Sequence, residues 1–215
     1  PDAVKHYTLR REAQIYRAVN SLGIPSPQVL GVHEEMEAVL LERSSGDAGF
    51  ARLEVAAQTE IIDDFAPLLA KLHAADVTTL DLPGLLPAAT ISDAVVNELD
   101  LWEARLDATG VADPILTACF QWLRANVPDT GERPPSLVQG DTGPGNFLHD
   151  GRRVTAFLDF ELGHLGDPME DIAWVGTRNA QEPVPDFDRF LDRYAAAAGT
   201  TPDPGRIRYH ALFAE

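Results

Sequence analysis

Val138-Gln139-Gly140-Asp141-Thr142-Gly143-Pro144-Gly145-Asn146-Phe147, and after it Ala156-Phe157-Leu158-Asp159-Phe160-Glu161, decide how this chain is read. Gly143, Pro144 and Gly145 let the backbone turn tightly, so Asp141 and Asn146 are expected to converge. Leu137-Val138 reads as a short buried strand before the loop and Phe147-Leu148-His149 as a strand after it. Asp150-Gly151 then makes a hairpin turn, and Val154 to Leu158 the return strand. That hairpin should deliver Asp159 beside Asn146. A carboxylate with a side-chain amide suits magnesium, a hard cation that keeps several waters and binds phosphates. The remaining carboxylate, Asp141, is then placed to accept a hydrogen bond from a hydroxyl and take its proton. Such a set fits phosphoryl transfer from ATP, which mainly needs positioning and charge neutralisation. Turn residues crowd together for purely conformational reasons, so the flanking strands and Asp159 carry the chemical reading.

Two further stretches join these motifs: Gly166-Asp167-Pro168-Met169-Glu170-Asp171-Ile172-Ala173 and Leu69-Ala70-Lys71-Leu72-His73. With them the chain resembles, over nearly its whole length, the aminoglycoside phosphotransferase and choline kinase group of the protein-kinase-like fold. The resemblance implies an α+β, two-lobed fold with a truncated small N-lobe in residues 1–43. A mainly helical C-lobe, carrying a catalytic β-hairpin, follows in residues 44–215. It implies Asp141 as catalytic base, Asn146 and Asp159 as Mg2+ ligands, ATP as co-substrate and a small-molecule hydroxyl as acceptor. Relatives phosphorylate aminoglycosides, choline, sugars, homoserine and hydroxylated acyl thioesters.

The same resemblance assigns supporting roles. Gln139 stands where the family usually has a loop-bracing His, and its amide can donate similarly. Asp171 is expected to brace the loop through backbone amides, with His73 structural. Glu161 and His164 border the acceptor pocket and are candidate substrate contacts. Leu41, Glu42 and Arg43 match the hinge strand whose backbone meets adenine. Glu12 matches the carboxylate that pairs with a phosphate-binding lysine. That lysine and a glycine-rich loop would lie before Pro1, and Lys5 is a poor stand-in, so a fragment of a longer protein is expected. A pseudokinase-like binding module is the alternative, suggested by Gln139 and by the lysine region.

Local chemistry supports the Gly166 to Ala173 stretch independently. Asp167 is a good N-cap, Pro168 suits the first helical position, and Glu170 completes a capping-box pattern. Asp171 lies one turn beyond Asp167.

Composition bounds the rest. With 215 residues, 45% of them hydrophobic, the chain can bury a substantial core. No apolar run approaches a membrane span and no secretory leader opens the chain, so a cytoplasmic protein is expected. A net charge of −17 argues against nucleic acid or an anionic membrane as partner and would welcome a cationic acceptor. Cys119 cannot form an intrachain disulfide and reads as a buried thiol. His6, His33, His149 and His210 have no metal-like spacing.

Apolar periodicity predicts helices over Thr8 to Val19, Leu53 to Ala75 with a kink at Pro67, Ser92 to Asp107, Pro114 to Ala125, Phe187 to Ala198 and Arg206 to Glu215. Strands are expected over Val29 to Val32 and Ala38 to Leu41, followed by a hinge-like linker at Ser44 to Gly46. Trp102 and Trp122 read as core residues.

Overall fold

A computed structural model describes residues 8–33, 35–179 and 182–214. Lys5, His6 and the last residue of the C-terminal helix predicted above lie outside them. The order is α1 (Leu9–Ser21), β1 (Val29–His33), β2 (Ala38–Leu41), α2 (Val55–His73), α3 (Ile91–Thr109) and α4 (Pro114–Ala125). Then come β3 (Ser136–Val138), β4 (Phe147–His149), β5 (Val154–Phe157), β6 (His164–Gly166), α5 (Pro168–Arg178), α6 (Phe187–Ala198) and α7 (Pro204–Ala214).

Three antiparallel pairs organise the strands: β1 with β2, β3 with β6, and β4 with β5. β6 was not anticipated. Its three residues carry no alternation, and Leu165 is fixed opposite Leu137 only by the returning chain. The expected hairpin is the β4–β5 pair, with Phe147 opposite Phe157.

Caps set the helix bounds. The Thr8 side chain accepts from Arg11 N at 3.2 Å and starts α1. A Thr90–Asp93 capping box starts α3 one residue earlier than the periodicity suggested. α2 begins at Val55 because residues 50–52 form a separate 3-10 turn, and it runs through Pro67 without ending.

The main core forms where α2, α6 and the β4–β5 hairpin meet. Phe65 of α2 packs against Phe147 and Phe157 of the hairpin and Phe190 of α6, with ring centroids 5.1, 5.3 and 6.1 Å away. Emptying a site like Phe65 typically costs about 3–5 kcal/mol, so one side chain ties the hairpin to the helical layer. A smaller cluster of Ile91, Val95, Leu99, Leu123 and Tyr209 joins α3, α4 and α7.

The two tryptophans correct the sequence reading. Trp102 and Trp122 are 37% and 47% exposed, not core. Trp102 instead lies under the Arg105 guanidinium at 4.6 Å, and Trp122 stacks on Tyr209. Cys119 is half-buried, lining a shallow apolar surface pocket with Ile115, Trp122 and Leu212. Periodicity identified the apolar face of α4; only the packing shows that little covers it.

Candidate active site

The loop between β3 and β4 brings Asp141 and Asn146 together. Asn146 Nδ2 donates to the Asp141 carbonyl at 2.7 Å and to its Oδ2 at 2.9 Å. With its amide nitrogen so committed, the oxygen of Asn146 is the atom that can turn to a cation. The β4–β5 ladder extends one step further, as Leu158 N donates to Asn146 O at 2.9 Å. Asp159 therefore emerges next to Asn146, in the left-handed region at φ 57°. A non-glycine residue rarely adopts this conformation without a local reason.

That reason comes from α1. The Tyr16 hydroxyl accepts from Asp159 N at 2.9 Å, and the Glu12 carboxylate accepts from the next amide, Phe160 N. Tyr16 also meets the Phe160 ring edge-on at 5.2 Å. Arg11, buried, donates to the carbonyls of Gly163 and, at 3.5 Å, Glu161. One face of α1 thus holds the backbone of residues 159–163 by both its amides and its carbonyls. Burial, then the Asp159 and Glu161 carboxylates, push the Glu12 carboxyl above its ordinary value. Glu12 accordingly sits where a cation would be favoured. Glu161 is exposed beside this group.

Bracing of the loop is carried by a buried carboxylate. Asp171, 0% exposed, accepts from Gln139 N and Gly140 N, each at 2.9 Å. Its Oδ2 also lies 2.8 Å from His73 Nε2, and His73 Nδ1 lies 2.8 Å from the Tyr194 hydroxyl. Burial pushes the Asp171 carboxyl up, but the His73 ring, by hydrogen bond and electrostatic attraction, together with the Gln139 amide, outweighs it and holds the group below its ordinary value. Gln139 reaches across with its side-chain amide to the carbonyls of Leu158, at 2.5 Å, and Asn146, at 3.4 Å. Gly140 is required here: at φ 83° an added Cβ would lie 2.5 Å from the Leu162 carbonyl oxygen.

Two expectations change. His164 is 5% exposed and cannot face an acceptor; its Nε2 lies 3.2 Å from the Glu170 carboxylate and its Nδ1 2.9 Å from Leu162 O. Although burial alone would lower it, the Glu170 and Glu98 carboxylates push His164 up to about 10. Glu170 is thereby drawn to His164 and away from the capping role. Asp167 does cap α5, accepting from Met169 N at 2.9 Å. It is also fully buried against Arg206 and His210 of α7, partners the local pattern did not suggest.

At the hinge, Leu41 pairs with Val29, and Glu42 N donates to Gln28 O at 2.8 Å. Adenine would have to displace Gln28 to use the Glu42 amide; Arg43 is exposed. The following segment is stitched to the hairpin by Asp47 and His149, which exchange backbone hydrogen bonds of 2.9 and 3.0 Å.

Arg178, at the end of α5, escaped the sequence reading. Its Nε donates to Asp141 Oδ1 at 2.9 Å, its NH2 to Asp141 Oδ2, and its NH1 to Pro144 O at 3.3 Å. Its position seven residues after Asp171, two helical turns along one face, was the available signal. Tyr16, Arg11 and Tyr194 likewise act through partners distant in sequence.

Among the described residues, no group of three or more His, Cys, Asp or Glu side chains is arranged to hold a metal ion. The Asp159 carboxylate and Asn146 amide would make a sparse, all-oxygen donor set. That fits magnesium, whose remaining positions go to water and phosphate oxygens.

A sequence model described as the phosphotransferase enzyme family matches residues 1–210. The mouse (Mus musculus) protein named acyl-CoA dehydrogenase family member 10 is 27% identical over 182 residues, covering 78% of this chain and 16% of that protein. The chain thus spans a small part of this curated relative. A crystal structure of aminoglycoside-3'-phosphotransferase of type VIII superposes with a TM-score of 0.74 at 20% identity, covering 96% of this chain and 79% of that one. A thermostable mutant aminoglycoside phosphotransferase in ternary complex with ADP and hygromycin B gives a TM-score of 0.71 at 19% identity, covering 95% and 72%. At these identities the structural likeness establishes the kinase-like α+β fold.

Proposed function

We propose, on the premise that this chain belongs to the phosphotransferase enzyme family, that it moves the γ-phosphate of ATP to a hydroxyl of a small molecule. The observation that carries the reading is the convergence of Asp141, Asn146 and Asp159. Asn146 Nδ2 is 2.9 Å from the Asp141 carboxylate, and Leu158, the residue before Asp159, bonds Asn146 O through its backbone N–H at 2.9 Å. Asp141 accepts a hydrogen bond from the acceptor hydroxyl, aims its oxygen and takes its proton late in the transfer. Asn146 and Asp159 are the residues that would hold Mg2+, which when bound neutralises charge on the phosphates. Glu12 lies beside Asp159 as a partner for a phosphate-binding cation. Leu41, Glu42 and Arg43 would form the adenine edge, with Gln28 O giving up the Glu42 amide, residues 1–43 being the small lobe and 44–215 the helical one. Gln139 and Asp171 keep the loop rigid. Of the two candidate acceptor contacts read from the sequence, Glu161 alone stays in the proposal. A binding module without turnover would have no use for a base, an amide and a carboxylate converging in this way.

Two acceptor classes are worth testing. Hygromycin B in the ternary complex points to an aminoglycoside, for which the net charge of −17 is favourable. The protein named for acyl-CoA dehydrogenase has the higher identity, 27%, although this chain covers 16% of it; because a phosphate acceptor needs a hydroxyl, we take a hydroxylated acyl thioester as the first class to test. Labelled phosphate from [γ-32P]ATP is followed onto hydroxyacyl-CoA thioesters and aminoglycosides, using the full-length protein and its Asp141→Asn variant. Transfer lost about a hundredfold or more in the variant supports the base assignment. Wild-type rates in the variant refute it, and transfer to aminoglycosides alone refutes the thioester.

A further inference from the structure

Helix α5 holds the loop at two points. Seven residues separate Asp171 from Arg178, so they lie within about 20° of one face and about 10.5 Å apart along the axis. Asp171 takes the amides of Gln139 and Gly140; Arg178 takes the Asp141 carboxylate and the Pro144 carbonyl. The loop is therefore laid along the helix and fastened at both ends. Gly143 makes the room: a Cβ there would come 3.0 Å from Arg178 Cδ.

We infer that Arg178 is a positioning residue for phosphoryl transfer, fixing the plane of the Asp141 carboxylate so that Oδ1 receives the acceptor's proton. The inference rests on the reading of Asp141 as the base. A guanidinium fork grips a carboxylate through two parallel N–H groups and so fixes its rotation, which a lysine cannot do. Oδ2 accepts from both Arg178 NH2 and Asn146 Nδ2, which fills its two lone pairs. Oδ1 accepts from Arg178 Nε at 2.9 Å, leaving one lone pair for the hydroxyl. The acceptor O–H proton passes to Oδ1 as its oxygen bonds to the γ-phosphorus, and the bond from that phosphorus to the bridging oxygen breaks, releasing ADP. Without Arg178 the carboxylate turns about its side-chain bonds, and misplacement of about 1 Å costs on the order of a hundredfold in rate.

The test measures phosphate release from MgATP, with water as the acceptor, by the full-length protein. It compares Arg178→Ala, Arg178→Lys, Asp141→Asn and the double variant Asp141→Asn/Arg178→Ala. We expect Arg178→Ala to lower kcat about ten- to a hundredfold with KM for ATP changed less than about twofold. Arg178→Lys, which keeps charge and stem, recovers only part of the loss. Added guanidinium ion partly restores Arg178→Ala and does nothing for Asp141→Asn, and the double variant is no slower than Asp141→Asn alone. Near-UV circular dichroism verifies folding, and Arg178→Lys decides if the alanine variant does not fold. Wild-type kcat in both Arg178 variants, or a loss that guanidinium cannot restore in folded Arg178→Ala, overturns the inference while Asp141→Asn stays inactive. Turnover by Asp141→Asn instead overturns the base reading on which it rests.

Discussion

Replacing Asp171 by Asn measures how far the loop depends on the buried carboxylate beneath it. Its two oxygens accept from Gln139 N, Gly140 N and His73 Nε2 at 2.8–2.9 Å. Asparagine keeps the size but converts one oxygen into an NH2 group. If its oxygen stays towards Gln139 and His73, its nitrogen faces Gly140 N–H; turned the other way, it faces two donors. At least one buried N–H is orphaned either way. A hydrogen bond to a charged group contributes about 1.5–3 kcal/mol, and an unsatisfied buried donor costs about 1–3 kcal/mol more. The expected loss is about 3–5 kcal/mol, comparable with breaking a buried ion pair and a large share of the roughly 5–15 kcal/mol typical of a domain. Urea denaturation reads it as a lower midpoint at unchanged slope.

The pH dependence has a definite sign, because the folded-state pKa of Asp171 lies below its ordinary value. Its stabilisation is fully present above about pH 3.9 and is lost as pH falls through the depressed folded value. The stability gap between wild type and Asp171→Asn should therefore be constant from pH 7 to 5 and close at lower pH. Turnover should fall about tenfold or more, because the amides released belong to the two residues before Asp141. A gap below about 1 kcal/mol at neutral pH, or one that does not narrow in acid, would refute the bracing argument.

Three further outcomes follow from the same geometry. Asp159→Ala and Asn146→Ala should weaken ATP binding only when magnesium is present, Asp159 the more because a full charge is removed; calorimetry with and without the metal checks this, and equal, metal-independent losses count against the site. Tyr16→Phe should remove the acceptor for Asp159 N–H, lowering stability by about 1 kcal/mol and weakening magnesium-dependent ATP binding; unchanged metal dependence would show that α1 does not hold Asp159 in place. His164, raised to about 10, should stabilise the fold fully below about pH 6.5 and lose that contribution as pH climbs through 10. Denaturation of wild type and His164→Gln across pH 6–10 should show converging stabilities, and a constant difference would contradict the charged pairing with Glu170.

The sequence by itself determined whatever depends on near neighbours. Asp141, Asn146 and Asp159 were legible because a Gly-Pro-Gly turn and one hairpin join them, and Asp171 because a Pro-led helix starts just before it. The helices were legible from apolar spacing, with errors of a residue or two where a cap or a 3-10 turn intervened. Tertiary structure alone decided the partners. Arg178 meets Asp141 across 37 residues, His73 meets Asp171 across 98, and Tyr16 meets the Asp159 amide across 143. Tyr16 carries no local mark of its role and Arg178 only its two-turn spacing from Asp171, because hydrogen-bond partners are chosen by packing after the helices dock. Burial has the same origin. His164 and Trp122 exchange their expected places, the histidine inside with Glu170 and the tryptophan outside on Tyr209, because exposure is set by which neighbouring element covers a side chain.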